Sequence, residues 1–105
     1  MAKSYALRDC PVARTLDLIG DRWTILILRD LLLRESRRFL DFQESLAGVA
    51  PNTLSARLKA LEASGLIKRR QYNDNPPRLA YELTEKGRSL GPIVKALRDW
   101  GLKNA

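Results

Sequence analysis

Histidine is absent from this chain, and cysteine occurs once, at Cys10. A lone thiol excludes an intramolecular disulfide, and with no imidazole the usual nitrogen and sulfur ligands of a zinc site are missing. Neither a metal nor any other cofactor is called for. An enzyme would need a nucleophile with its base, paired acids, a metal or a phosphate loop. None can be assembled: Cys10 has no base in its segment, and the six glycines show no G-x-G-x-x-G or G-K-S/T spacing. Carboxylates such as Asp17, Asp41 and Glu62 stand apart in the sequence and read as surface or cap residues. Long hydrophobic runs are lacking as well. The longest apolar stretch, Trp23 to Leu33, is interrupted by Arg29 and Asp30, and falls short of the roughly 18 residues that cross a bilayer. The N-terminus carries Lys3, Arg8 and Asp9 and does not read as a signal peptide. The expectation is a soluble cytoplasmic protein with no membrane partner.

What is present is a basic chain of 105 residues, 45% hydrophobic. That length holds one domain, residues 1–105, around one modest core. Nineteen Lys plus Arg against 12 Asp plus Glu give a formal charge of +7 and a pI near 10.1. Such a balance favours a polyanionic partner without naming it.

The apolar periodicity predicts a mainly α-helical protein with a small β-hairpin. Val12, Leu16 and Ile19 recur at helical spacing between Pro11 and Gly20, a short first helix. Trp23 to Leu33 is apolar on nearly every side, the mark of a central buried helix. Phe39, Phe42 and Leu46 share a face of a third, short helix. In the segment Pro51 to Ser64, Leu54, Leu58 and Leu61 make the clearest amphipathic helix, and Gly65 stops it. Leu66 to Tyr72 and Leu79 to Leu83 read as strands joined by a turn over 73–78, with Leu79, Tyr81 and Leu83 on the inner face. Thr84 can cap a last helix from Glu85 to about Trp100, kinked at Gly91 and Pro92.

The helix from Pro51 turns outward a surface that is small, polar or basic, without an acid: Asn52, Thr53, Ala56 and Lys59, flanked by Ser55 and Arg57. A helix fits the major groove of duplex DNA, where such side chains reach base edges. The hairpin behind it carries basic side chains suited to phosphates. This reading turns Asn52, Thr53, Ser55, Ala56 and Arg57 toward bases, and Arg38, Lys59, Arg70, Tyr72 and Arg78 toward phosphates. Apolar stripes on the first and last helices, about 11–20 and 85–101, exceed what one small core covers. Leu16, Ile19, Leu90, Ile93, Val94, Leu97 and Trp100 are therefore the expected homodimer interface, and a symmetric dimer would read two half-sites about one turn, or a multiple of ~10 base pairs, apart. A second reading makes the domain a protein-interaction module with an incidental basic face; acids on the outer helix face would favour it, and none is there.

Separated motifs in a fixed order also carry a resemblance: CPV (10–12), IGDRW (19–23), RF (38–39), Pro51 with LSARLKALE (54–62), GLI (65–67), PR (77–78), YELT (81–84) and Gly87. From about Cys10 to Gly101 the chain resembles the HxlR family of winged helix-turn-helix regulators. The resemblance implies a DNA-binding dimer that represses or activates a neighbouring gene, with the helix from Pro51 as recognition helix, the hairpin as wing, and N- and C-terminal helices at the dimer interface. In some members a cysteine at the place of Cys10 senses oxidants or electrophiles. Cys10 sits near a helix start with Arg8, Asp9 and Arg14 around it, and a reduced thiol with a structural role is the alternative. The sequence departs at Ala50, where the family often has Ser, so that a side-chain cap is missing. Operator, target genes, sign of regulation and any small-molecule effector stay open.

Overall fold

A computed structural model describes residues 8–105. From Pro11 onward the elements follow in order: α1 (Pro11–Ile19), α2 (Arg22–Leu33), α3 (Phe39–Ser45), α4 (Pro51–Ala63), β1 (Ile67–Asp74), β2 (Pro77–Leu83), α5 (Glu85–Arg88) and α6 (Gly91–Asn104). The strands pair antiparallel, from Ile67 opposite Leu83 at the root to Asp74 opposite Pro77 at the tip. The architecture is a winged helix-turn-helix: α3 and α4 are the helix pair, β1–β2 the wing.

The core forms where the apolar faces meet. Ile27, Leu28 and Leu31 of α2 pack with Phe42 of α3, with Leu54, Leu58 and Leu61 of α4, and with Ile67 and Leu83 at the wing root. Burying each of the three α4 leucines contributes about 1.5–3 kcal/mol, which holds that helix by one stripe and leaves the opposite one to solvent. Gly65 takes φ +74° after α4, a left-handed conformation that reverses the chain into β1 and that side chains disfavour.

Four details differ from the sequence reading. The strands run to Asp74 and from Pro77, so the turn is shorter than 73–78; the ladder takes in Pro77 at its open tip, with an irregularity between Gln71 and Asn73. Leu79 is 44% exposed whereas Ala80 is buried, because the wing projects beyond the core and its outer half has nothing to pack against. The last helix is two: α5 ends at Arg88, and α6 starts afresh with Pro92 in its first turn, where the missing N–H costs nothing. Ile19, expected at a dimer interface, is 2% exposed and sits in the protomer's own core, since α1 turns it inward next to the sharp Gly20 corner.

The sheet also has a third participant that periodicity did not reveal. Arg37 pairs with Tyr81 as a single antiparallel bridge, its N–H donating to Tyr81 O (3.0 Å) and its carbonyl accepting from Tyr81 N–H (2.7 Å). The wing root is thus stitched to the segment that leads into α3.

At the far side of the wing, Thr84 Oγ1 accepts from Gly87 N–H (3.1 Å) and donates to Gly65 O, and Thr84 N–H donates to Leu66 O (3.1 Å). A Cβ on Gly87 would fall onto the Leu66 carbonyl oxygen, a backbone atom that cannot swing aside. Gly87→Ala is therefore expected to destabilise the fold by ~1–3 kcal/mol, read as a lower urea midpoint, whereas Gly101→Ala, with open space around it, should not.

Candidate nucleic-acid interface

Ala50, the N-cap residue of α4, makes no side-chain cap bond, as the missing hydroxyl requires. Its outer stripe is Asn52, Ala56 and Lys59, all exposed, with Thr53 and Ser55 half-buried beside it. Arg57 is placed differently from the base-facing position assigned to it. Its Nε donates to Asp21 Oδ2 at 2.7 Å, across to the start of α2, and the side chain is 38% exposed on the flank of α4. Asp21 is at the same time the N-cap of α2, its Oδ1 accepting from Trp23 N–H at 3.1 Å. The IGDRW motif is therefore a corner: Gly20 ends α1, Asp21 starts α2, and Arg22 lies over the Trp23 ring at 5.0 Å.

The other cations gather around the wing. Arg38 precedes α3 and makes a two-pronged contact with Asp41, from Nε at 3.1 Å and Nη2 at 2.9 Å, while the Asp41 carboxylate also accepts from the Arg38 N–H at 2.8 Å. That reciprocal bond is one half of a capping box. Arg38, Asp41, Ser36, Arg70, Tyr72 and Ala80 line one cleft of about 380 Å³ between the start of α3 and the wing. Of the five side chains assigned to phosphates, the structure brings Arg38, Arg70 and Tyr72 together here. Arg78 stands near the wing tip opposite Asn73, and Lys59 lies on α4; both are exposed and without an ion-pair partner among the described residues. Arg70 is tethered to Glu82 at 3.3 Å, and Arg69 ties the wing to Glu62 of α4 at 3.0 Å.

The acids that hold these cations, Asp21, Asp41 and Glu82, were not singled out as site residues. Asp41 had a local signal in its spacing, third into a helix after Arg38. The pairing of Asp21 with Arg57, 36 positions apart, had none.

Apolar surface remains on the terminal helices. No residue of α6 is buried, and Ile93, Leu97 and Trp100 form an exposed stripe at helical spacing, Trp100 being 65% exposed. Leu16 and Val12 do the same on α1. Leu90 and Val94 are partly buried against the protomer's own core. An apolar groove of about 530 Å³ lies between α2 and α6; the cations on it, Arg29, Lys95 and Arg98, are already met by Asp30 and Asp99. Cys10 is the N-cap residue of α1, half-buried, with no side-chain hydrogen bond there.

The sequence pattern of the HxlR-like helix-turn-helix family matches residues 18–105. The chain belongs to the HxlR-like family. It is 40% identical over 98 residues to the HTH-type transcriptional regulator BH0655 of Halalkalibacterium halodurans, covering 93% of this chain and 87% of that one. To YdeP of Bacillus subtilis, likewise an HTH-type transcriptional regulator, it is 38% identical over 94 residues, 90% of this chain and 73% of that one. Among solved structures, the redox regulator HypR in its oxidized form superposes with a TM-score of 0.86 at 36% identity, over 91% of this chain and 98% of that one. The reduced form of the regulator YodB from B. subtilis gives 0.76 at 29% identity, over 91% and 94%. This HxlR-like protein is a transcriptional regulator with a DNA-binding winged helix-turn-helix, and not an enzyme.

In this cleft the Arg38–Asp41 pair makes a measurable signature. The Arg38 guanidinium, and then its backbone N–H, hold the Asp41 carboxyl at about 2, below its ordinary 3.8. A carboxyl lowered on folding stabilises the fold above its unfolded value, and that contribution fades as pH falls from about 4 through about 2. The carboxyl carbon resonance of Asp41 should titrate near 2, and Arg38→Gln should return it toward 3.8; an unmoved midpoint would contradict the pairing.

Proposed function

We propose that this regulator is a homodimer that lays α4 of each subunit in the major groove of an inverted-repeat operator, with the wing along the flanking backbone. In this reading residues 1–105 are one domain, Asn52, Thr53, Ser55 and Ala56 meet base edges, and Arg38, Lys59, Arg70, Tyr72 and Arg78 meet phosphates. The observation that carries it is the cleft in which Arg38, Arg70 and Tyr72 converge, in a protein whose outer α4 stripe holds no acid. Small and amide side chains on that stripe suit base edges, and clustered cations supply the salt-dependent part of the affinity. Asp41 in the cleft and Glu82 behind Arg70 orient the guanidiniums and reduce, without cancelling, the local positive charge.

The support for a dimer is the surface left over. A 14-residue helix without a buried residue gains little from propensity alone and needs a partner on its stripe. Leu16, Ile93, Leu97 and Trp100 are the residues for that contact. Working on chromosomal DNA, the protein would act in the cytoplasm. Cys10 stands where α1 begins, so a change at its thiol would act on the dimer helix itself. HypR, a redox regulator to which the chain is similar, makes oxidation or an electrophile the chemistry to try, and altered half-site spacing the consequence.

Binding to the DNA upstream of the protein's own gene, followed by anisotropy across a salt series, tests the interface. Lys59→Glu with Arg70→Glu should weaken binding at least about tenfold and flatten the salt slope by roughly two ions, while sedimentation still finds a dimer. Leu97→Asp should do the reverse, giving monomers first and losing operator binding through them. Retained DNA affinity in the charge-reversal variant would sink the placement of the interface. Treating the reduced protein with diamide, with Cys10→Ser as control, tests the sensor: only the wild type should change its binding.

A further inference from the structure

We infer that Asp21 is a positioning residue for DNA binding: it clamps the Nε edge of Arg57 so that the rest of that guanidinium is presented, already oriented, to a phosphate beside the recognition helix. The inference rests on the proposed docking of α4 and adds a residue that contacts no DNA.

Three observations carry it. The contact is short and single-edged: Arg57 Nε donates to Asp21 Oδ2 at 2.7 Å, and the two Nη groups have no partner among the described residues. The guanidinium thus retains most of its five N–H donors. Asp21 cannot drift, because its other oxygen caps α2 through Trp23 N–H and its backbone follows the Gly20 corner. The clamp therefore fixes Arg57 to the core and not to another mobile side chain. Arg57 is half-buried on the flank of α4, whereas Asn52, Ala56 and Lys59 form the outer stripe; a flank faces the wall of the groove, where the phosphates lie, and not its floor. Holding a long side chain in its bound geometry removes the ordering cost that binding would otherwise carry.

The alternative is that Asp21 competes with phosphate for Arg57 and weakens binding. The two differ in sign. Asp21→Asn keeps an oxygen for the Trp23 N–H and removes one negative charge from a chain of net +7. Charge alone then predicts tighter DNA binding. Positioning predicts weaker binding, by roughly two- to fivefold, although the protein has become more basic.

Anisotropy with two 30-base-pair duplexes, one from the protein's own upstream DNA and one of unrelated sequence, separates them. Arg57→Gln should weaken both duplexes alike, by about three- to tenfold, and lower the salt slope by about one ion. Asp21→Asn should weaken both, and should have no further effect in the Arg57→Gln background. Arg57→Lys, which keeps the charge but lacks the Nε edge, should keep the salt slope and lose affinity, and serves if Asp21→Asn folds poorly. Tighter binding by Asp21→Asn, or equal weakening with and without Arg57, overturns the inference and leaves the DNA reading intact. Failure of the wild type to bind either duplex would instead overturn that reading, and the inference with it.

Discussion

Asp30 brings a charge into the last turn of the central helix, where it is 4% exposed, and the placement of the wing against the helix pair depends on how that charge is answered. Arg29 donates to it from Nη2 at 2.8 Å, Arg37 reaches it at 3.5 Å, and the Ser45 hydroxyl donates to its second oxygen. A carboxylate at this depth must be met by cations and donors, because desolvating it alone costs several kcal/mol. Meeting it ties α2 to the segment before α3 and to the last turn of α3. Arg37 is at once the partner of Asp30 and, through its backbone, of Tyr81 in the wing. One buried charge thus sets the wing against the helix pair, and Arg38, the next residue, is thereby delivered to the cleft it shares with Arg70 and Tyr72.

The same pattern recurs at the surface: a cation suited to DNA is held on one edge by an acid that belongs to a rigid element. Asp41 in the first turn of α3 holds Arg38, Asp21 at the start of α2 holds Arg57, and Glu82 in β2 holds Arg70. Exposed ion pairs of this kind contribute little to stability. Their effect is on direction, since a guanidinium has a planar fork of five donors and can serve an acid and a phosphate on different edges. The formal charge of +7 therefore understates how ordered the basic surface is.

The parts of this arrangement legible in the sequence were those governed by local periodicity. Leu54, Leu58 and Leu61 announced α4 and its inner face, Gly65 its end, and the alternation near Leu83 the root of a strand. Signals failed where tertiary context decides. Leu79 alternates like a core residue but stands beyond the core, and Ile19 reads as interface because a sequence does not say which way the Gly20 corner turns. The break between α5 and α6 reads as a kink, because a proline marks an interruption without saying that a new helix starts there. Arg57 looked like a base reader because its partner lies 36 residues away, and no spacing rule spans that distance. The family resemblance supplied the wing and the helix pair, but not the acids that orient the cations.

The central claim is that α4 and the wing form one DNA-binding surface held together by the Asp30 network. Amide NMR of the protein titrated with its operator duplex tests it most directly. Perturbations are expected to gather at 52–59, at Arg38 and at 70–78, with α6 unaffected at its stripe. Perturbations confined to α1 and α6, with the wing and the outer face of α4 unchanged, would contradict it.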